Sequence, residues 1–208
     1  MSGAERTKEH YKNGKLDGEK RIYYTNGMLH FIENYVADSL EGKAFSYHQN
    51  GLLESASNYS NGKIDGPIKG YHENGQLSYE GQYNKDEILG TWKRYHENGQ
   101  LKSIETYVNG LMEGEYIEYH DNGKKYQQGV FKKGKTDGDL SYFDDDGILF
   151  SILTYDKETL KSARYFDKTG KQISASNVVN KKMNLVTYRP DGTKRSQLNY
   201  NEREKLKE

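Results

Sequence analysis

Polar and apolar side chains along this chain are interleaved in short stretches, with no apolar stripe at every third or fourth residue. In Gly114-Glu115-Tyr116-Ile117-Glu118-Tyr119, for example, charged residues are interspersed among aromatic and aliphatic ones, and clusters of Asn, Asp and Gly close such stretches. A period of two predicts β-strand, and no segment sustains the 3.6-residue period of a helix. The Asn-Gly pairs between stretches predict tight hairpins, because both residues accept positive φ.

The pattern repeats. Aromatics stand at Tyr11, Tyr35, Tyr59, Tyr83, Tyr107, Phe131 and Tyr155, each 24 residues after the last. A second row, Tyr23, Tyr47, Tyr71, Tyr95, Tyr119 and Phe143, keeps the same interval, as do Gly18, Gly42, Gly66, Gly90, Gly114 and Gly138. Turn glycines follow at Gly27, Gly51, Gly75, Gly99, Gly123 and Gly147. Rows in phase over successive copies mark a repeat architecture, in which each copy is one supersecondary unit packed on its neighbours. After Phe166 and Tyr188 the turns Lys168-Thr169-Gly170 and Pro190-Asp191-Gly192 drift in spacing and read as two further copies, the last a cap.

One copy reads as one hairpin: a strand from Gly90, a turn at Glu97-Asn98-Gly99, and a return strand to Tyr107. A three-residue loop with glycine at the bulge pairs Tyr95 with Leu101. It predicts one face carrying Tyr95, Leu101, Ser103, Glu105 and Tyr107, and in the first copy Tyr23, Leu29, Phe31, Glu33 and Tyr35. A one-residue slip would exchange the faces. The predicted fold is all-β: an elongated, twisted, single antiparallel meander of repeated hairpins in about eight units. About 16 strands at about 4.8 Å each would make a ribbon of roughly 75–80 Å. Residues 1–10 read as a loose segment, 11–200 as the array and 201–208 as a charged tail.

Composition supports a sheet held together by tyrosine. Only 33% of the 208 residues are hydrophobic, yet 19 are tyrosine and 22 glycine, against two prolines. Stability then sums over neighbouring hairpins instead of resting on one central core. The 31 basic and 31 acidic side chains cancel, so charge offers nothing to nucleic acid or to an anionic membrane. The absence of cysteine removes disulfides, thiol catalysis and cysteine-ligated metals. The first ten residues contain no apolar stretch, so a cytoplasmic location is expected, or an extracytoplasmic one if a leader was removed.

The units Tyr71-His72-Glu73-Asn74-Gly75-Gln76-Leu77 and Tyr95 to Leu101, with the linkers Tyr59 to Gly66 and Tyr107 to Gly114, resemble MORN repeats. The likeness is to the bacterial variant found in YwqK-like antitoxins. It implies a non-enzymatic hairpin array that binds protein, or phospholipid in some members. The antitoxin likeness implies neutralisation of a toxin by contact. No catalytic residue, cofactor or metal comes with it.

Candidate chemistry is thin. His48, His72, His96 and His120 recur at 24. Equivalent strands lie about 9.6 Å apart, too far for one ion held at about 2.0–2.1 Å. The row reads as polar side chains preceding each turn, with a proton-sensitive ladder as the alternative. Asp144-Asp145-Asp146-Gly147 occupies the turn position of its copy and lacks the spacing of a calcium loop. The tyrosine row (Tyr23, Tyr47, Tyr71, Tyr95, Tyr119) and the glycines Gly42, Gly66, Gly90 and Gly114 read as frame. The face opposite the tyrosine row varies between copies. Its middle carries Trp92, Arg94, His96, Tyr116, Glu118 and His120, an aromatic–arginine mixture of the kind found in binding hot spots. The same row, Ile68, Trp92, Tyr116 and Leu140, reads equally as a second packed layer. The functional expectation is a scaffold that grips a partner protein, a toxin in the antitoxin reading, without cofactor or metal. A membrane-associated or structural adaptor and an edge-to-edge assembly are the alternatives. The oligomeric state is left open.

Overall fold

The computed structural model describes residues 6–201. The expected tail therefore lies outside the described residues from 202 on, as does the expected loose segment over 1–5. The chain divides into two compact units, Met1–Leu101 with Tyr107–Gly110, and Lys102–Thr106 with Leu111–Glu208. Among the described residues there is no helix. Consecutive strands pair antiparallel in hairpins, as the period of two requires.

The copy at Gly42–Tyr47 and Leu53–Ser60 shows how sequence sets geometry. His48 N–H donates to the Leu52 carbonyl at 2.8 Å and Gly51 N–H to the His48 carbonyl at 2.9 Å, enclosing the three-residue loop Gln49-Asn50-Gly51. Gly51 sits at φ 84°, where a Cβ would be strained. Asn50 Oδ1 accepts from Leu52 N–H at 2.9 Å. Tyr47 then pairs with Leu53, and likewise Tyr23 with Leu29 and Tyr71 with Leu77, as the three-residue loop predicts.

Past that pair the register shifts. Tyr47 faces Leu53 but Ser46 faces Ser55, leaving Glu54 as the extra residue of a bulge. The same step occurs at His30, Ser78, Tyr126 and Phe150. A bulge of one residue exchanges the faces beyond it. Phe31, Glu33 and Tyr35 therefore pair with Ile22, Lys20 and Gly18, and do not share a face with Tyr23 as expected. The variable positions and the returning aromatics line one face together. Buried Ala44, Ser46 and Trp92 lie on it in the first unit, and Ser103, Glu105, Leu140 and Ser151 in the second. We call this the inner face.

The link between copies is a two-residue turn. In Asn61-Gly62 both residues have positive φ, 51° and 76°, matching the right-handed strand twist. Asp38 and Asp86 take the glycine place at φ 72° and 73°. Their carboxylates offset that strain by accepting Leu16 N–H at 2.7 Å and Ile64 N–H at 2.8 Å from the preceding copy.

Frame polar groups tie copy to copy. His48 and His72 Nε2–H donate to the Tyr71 and Tyr95 carbonyls, each at 2.9 Å, and His120 to that of Phe143 at 3.2 Å. Tyr24, standing where the others have histidine, does the same to Tyr47 at 2.7 Å. Asn50, Asn74 and Asn122 Nδ2 donate to the Glu73, Glu97 and Asp145 carbonyls. The histidine row is thus a set of struts. At the N-terminus Arg6–Lys8 is a strand paired with Arg21–Tyr23. In the second unit Leu160, Ala163, Tyr165, Met183, Leu185 and Tyr200 form an apolar cluster that the low hydrophobic content did not announce.

Candidate functional site

Trp92, Arg94 and His96 lie in the first unit; Tyr116, Glu118 and His120 lie in the second. Trp92 is 4% exposed. Its indole stacks on Tyr79 at 5.9 Å and meets Tyr83 edge-on at 5.5 Å. The space comes from Gly81, where a Cβ would fall 2.2 Å from the ring. Trp92 therefore packs within its unit, as the second-layer reading of its row expects: the bulge turns Tyr79, Gly81 and Tyr83 onto its own face. Arg94 is exposed, its guanidinium 5.9 Å from the Trp92 ring centre. A weakly hydrated planar cation over an aromatic face gains a cation–π attraction from it. His96 is half-buried in the strut row.

In the second unit Tyr116 Oη donates to Glu118 Oε2 at 2.7 Å, and its ring meets Phe131 edge-on at 5.6 Å. Burial, then the Glu118 bond, pushes the Tyr116 phenol well up, so it stays a donor at neutral pH. Glu118 lies across from Ser103, which donates to the buried Glu105 at 2.9 Å. The Glu118 carboxylate is oriented by the Tyr116 hydrogen bond. His120 is taken up as a strut to Phe143, with Nδ1 3.4 Å from Asp145. Among the described residues no group of three or more potential metal ligands converges.

Arg94, Tyr116 and Glu118 thus keep polar chemistry on the inner face, while Trp92 and His120 are spent on packing and ties. Sequence reasoning missed the bulge row, His30, Glu54, Ser78, Tyr126 and Phe150. Its signal was a position at constant phase whose residue type never repeats.

A family model described as MORN repeat variant matches residues 16–37, 40–61, 64–85, 88–109 and 112–133. None of the curated proteins matches the chain. Among solved structures, alternansucrase in complex with isomaltononaose is similar at 13% identity over 91% of this chain, with a TM-score of 0.15. The likeness spans 16% of the alternansucrase chain, and a superposition at that score does not establish a common fold.

Proposed function

Because the chain belongs to the MORN repeat variant family, with five tandem repeats matched over more than half its length, we propose that it is a non-enzymatic scaffold binding a partner protein. In its finer form, that partner is a toxin held inactive by occlusion. MORN repeats are repeat scaffolds or binding modules. One observation carries the reading here: the polar groups of the frame are consumed within the array. Histidine and asparagine side chains bridge to the next copy, and the acids Asp17, Glu41 and Glu113, each before a frame glycine, accept a turn N–H 20 residues on. Chemical individuality is left to the variable positions, and a surface that differs from copy to copy suits one specific partner better than a repeated ligand. The exposed Arg94 and the Tyr116–Glu118 pair are the contact residues proposed, each within its own unit.

Co-expression tests this. The product of the gene next to this one should arrest growth alone, be neutralised by this protein, and co-elute with it. Arg94→Ala with Glu118→Ala should weaken that complex by about tenfold or more, a common cost for an interface anchor. A neighbouring product that is harmless and does not bind would remove the toxin reading. An adaptor on anionic membrane has less support, since the formal net charge is +0.

A further inference from the structure

One copy departs from the frame in two places at once. Where earlier copies carry His48-Gln49-Asn50 and His72-Glu73-Asn74, this copy has Asp144-Asp145-Asp146. The bulge position, filled in the first unit by His30, Glu54 and Ser78, carries a phenol or phenyl ring at Tyr126 and Phe150. The family match stops short of this copy, at residue 133. In the second unit these changes converge on a hollow of about 430 Å³ walled by Tyr126, Phe143 and Phe150, with Asp144, Asp145 and Asp146 along one side. That volume falls in the range of about 300–1,000 Å³ usual for ligand sites.

We infer that this hollow receives a lysine or arginine side chain of the bound protein, an inference that rests on the partner-binding reading above. The rings form a connected wall: Tyr126 meets His120 at 5.0 Å and Tyr142 at 6.2 Å, and Tyr142 meets Phe150 at 6.4 Å. Such a wall accommodates the methylene stem of a long cationic side chain and attracts its charged head. The carboxylate of Asp144 is 8% exposed and fixed, its Oδ1 accepting from Asp146 N–H at 3.0 Å and Ile148 N–H at 2.8 Å. Asp145 is 93% exposed by side chain and stands at the hollow's edge, its Oδ1 3.4 Å from His120 Nδ1. With Asp191, four carboxylates line the hollow against two lining cations, Lys168 and Arg189, and a third, Lys124, which reaches Asp146 Oδ1 at 3.4 Å. The protein's own lysine already stands in for the ligand: Lys168 Nζ lies 4.0 Å from Asp144 Oδ2 and 3.8 Å from Asp146 Oδ2. Contacts that long on a half-exposed lysine are weak, so a better-placed cation can displace it. An acidic side chain would meet repulsion instead.

The frame itself supplies the test variant. Asp145→Gln, Asp146→Asn and Phe150→Ser restore residues that Gln49, Asn122 and Ser78 already hold at the same places in the fold. The probes are the blocked tripeptides Gly-Arg-Gly and Gly-Lys-Gly, with Gly-Glu-Gly as control, titrated into isotope-labelled full-length protein by NMR. Both cationic probes should saturably shift the amides of Tyr126, Phe143 to Ile148 and Lys168, and the glutamate probe should not. The triple variant should weaken them by about tenfold, equivalent to about 1.4 kcal/mol, with an unchanged melting temperature. Should the triple variant misfold, Asp145→Asn alone is expected to weaken binding several-fold. Absence of saturable shifts, an equal response to the glutamate probe, or unchanged affinity in the folded variant overturns the inference. A toxin captured equally by the variant would sink the hollow and spare the antitoxin reading; probe binding without neutralisation would do the reverse.

Discussion

The turns at His72–Gln76 and Asp144–Ile148 share one backbone and differ in where their side chains go. In both, the first residue's N–H donates to the fifth carbonyl, at 2.8 and 2.9 Å, and the glycine N–H donates back to the first, at 2.8 and 2.7 Å. At His72 the side chains then reach outward to the next copy, His72 to the Tyr95 carbonyl and Asn74 to that of Glu97. At Asp144 the side chain folds back on its own loop. Asp167 repeats that choice, accepting from Thr169 N–H at 2.9 Å and Lys171 N–H at 3.1 Å. The family-matched copies are thus bound together by polar ties, whereas the later ones close their own turns and rely on the apolar cluster around Leu160, Ala163 and Leu185. A repeat frame can keep its backbone while changing what holds the copies together, and the turns released from tying are free for other chemistry.

The largest test of that contrast is on packing. Trp92→Ala should cost about 3–5 kcal/mol and Leu185→Ala about 2–5 kcal/mol, read by urea denaturation. Gly81→Ala should cost about 1–3 kcal/mol because its Cβ meets the indole. Combined with Trp92→Ala it should cost less than the separate losses added together. Next come the ties. His72→Ala or Asn74→Ala should lose about 0.5–1.5 kcal/mol each, while Asp144→Asn, which keeps an oxygen acceptor for its own loop, should be near neutral to stability. Smallest is Ala37→Asn at φ 49°, where Asn61 and Asn109 already stand in equivalent turns at 51°; a gain of a few tenths of a kcal/mol is expected, since Asn tolerates this region better than Ala.

Alkali sharpens the contrast further. The Tyr142 phenol is pushed up from 10.0 to about 12, first by burial. A neutral form favoured by the fold stabilises fully below the unfolded value. That stability is lost as pH rises from 10.0 toward 12, so unfolding and late tyrosine ionisation should coincide in an absorbance titration. At the acid end Asp167 and Asp191 are held below 3.8, chiefly by the side-chain bonds from Thr169 and Thr193. Their contribution is present above 3.8 and fades as pH falls through their lower folded values.

The 24-residue frame, the hairpins and the three-residue loop were legible because each depends on local chemistry, chiefly Asn and Gly at fixed phase. The bulge was not. Glu54, Ser78 and Phe150 have nothing in common except their place, and alternation reads equally well with or without an extra residue. Missing it put Trp92 opposite Tyr79 and Tyr83, when the fold packs all three together. The hollow beside Asp144 was hidden for the same reason, since Tyr126 and Phe150 reach it only because the bulge turns them there.

The protein has one tryptophan, so its fluorescence reports on that register alone. With Trp92 between Tyr79 and Tyr83, emission should be blue-shifted and resist acrylamide quenching until the protein unfolds. Red-shifted emission in the folded protein, quenched as readily as free indole, would return Trp92 to an open face and contradict the bulged register.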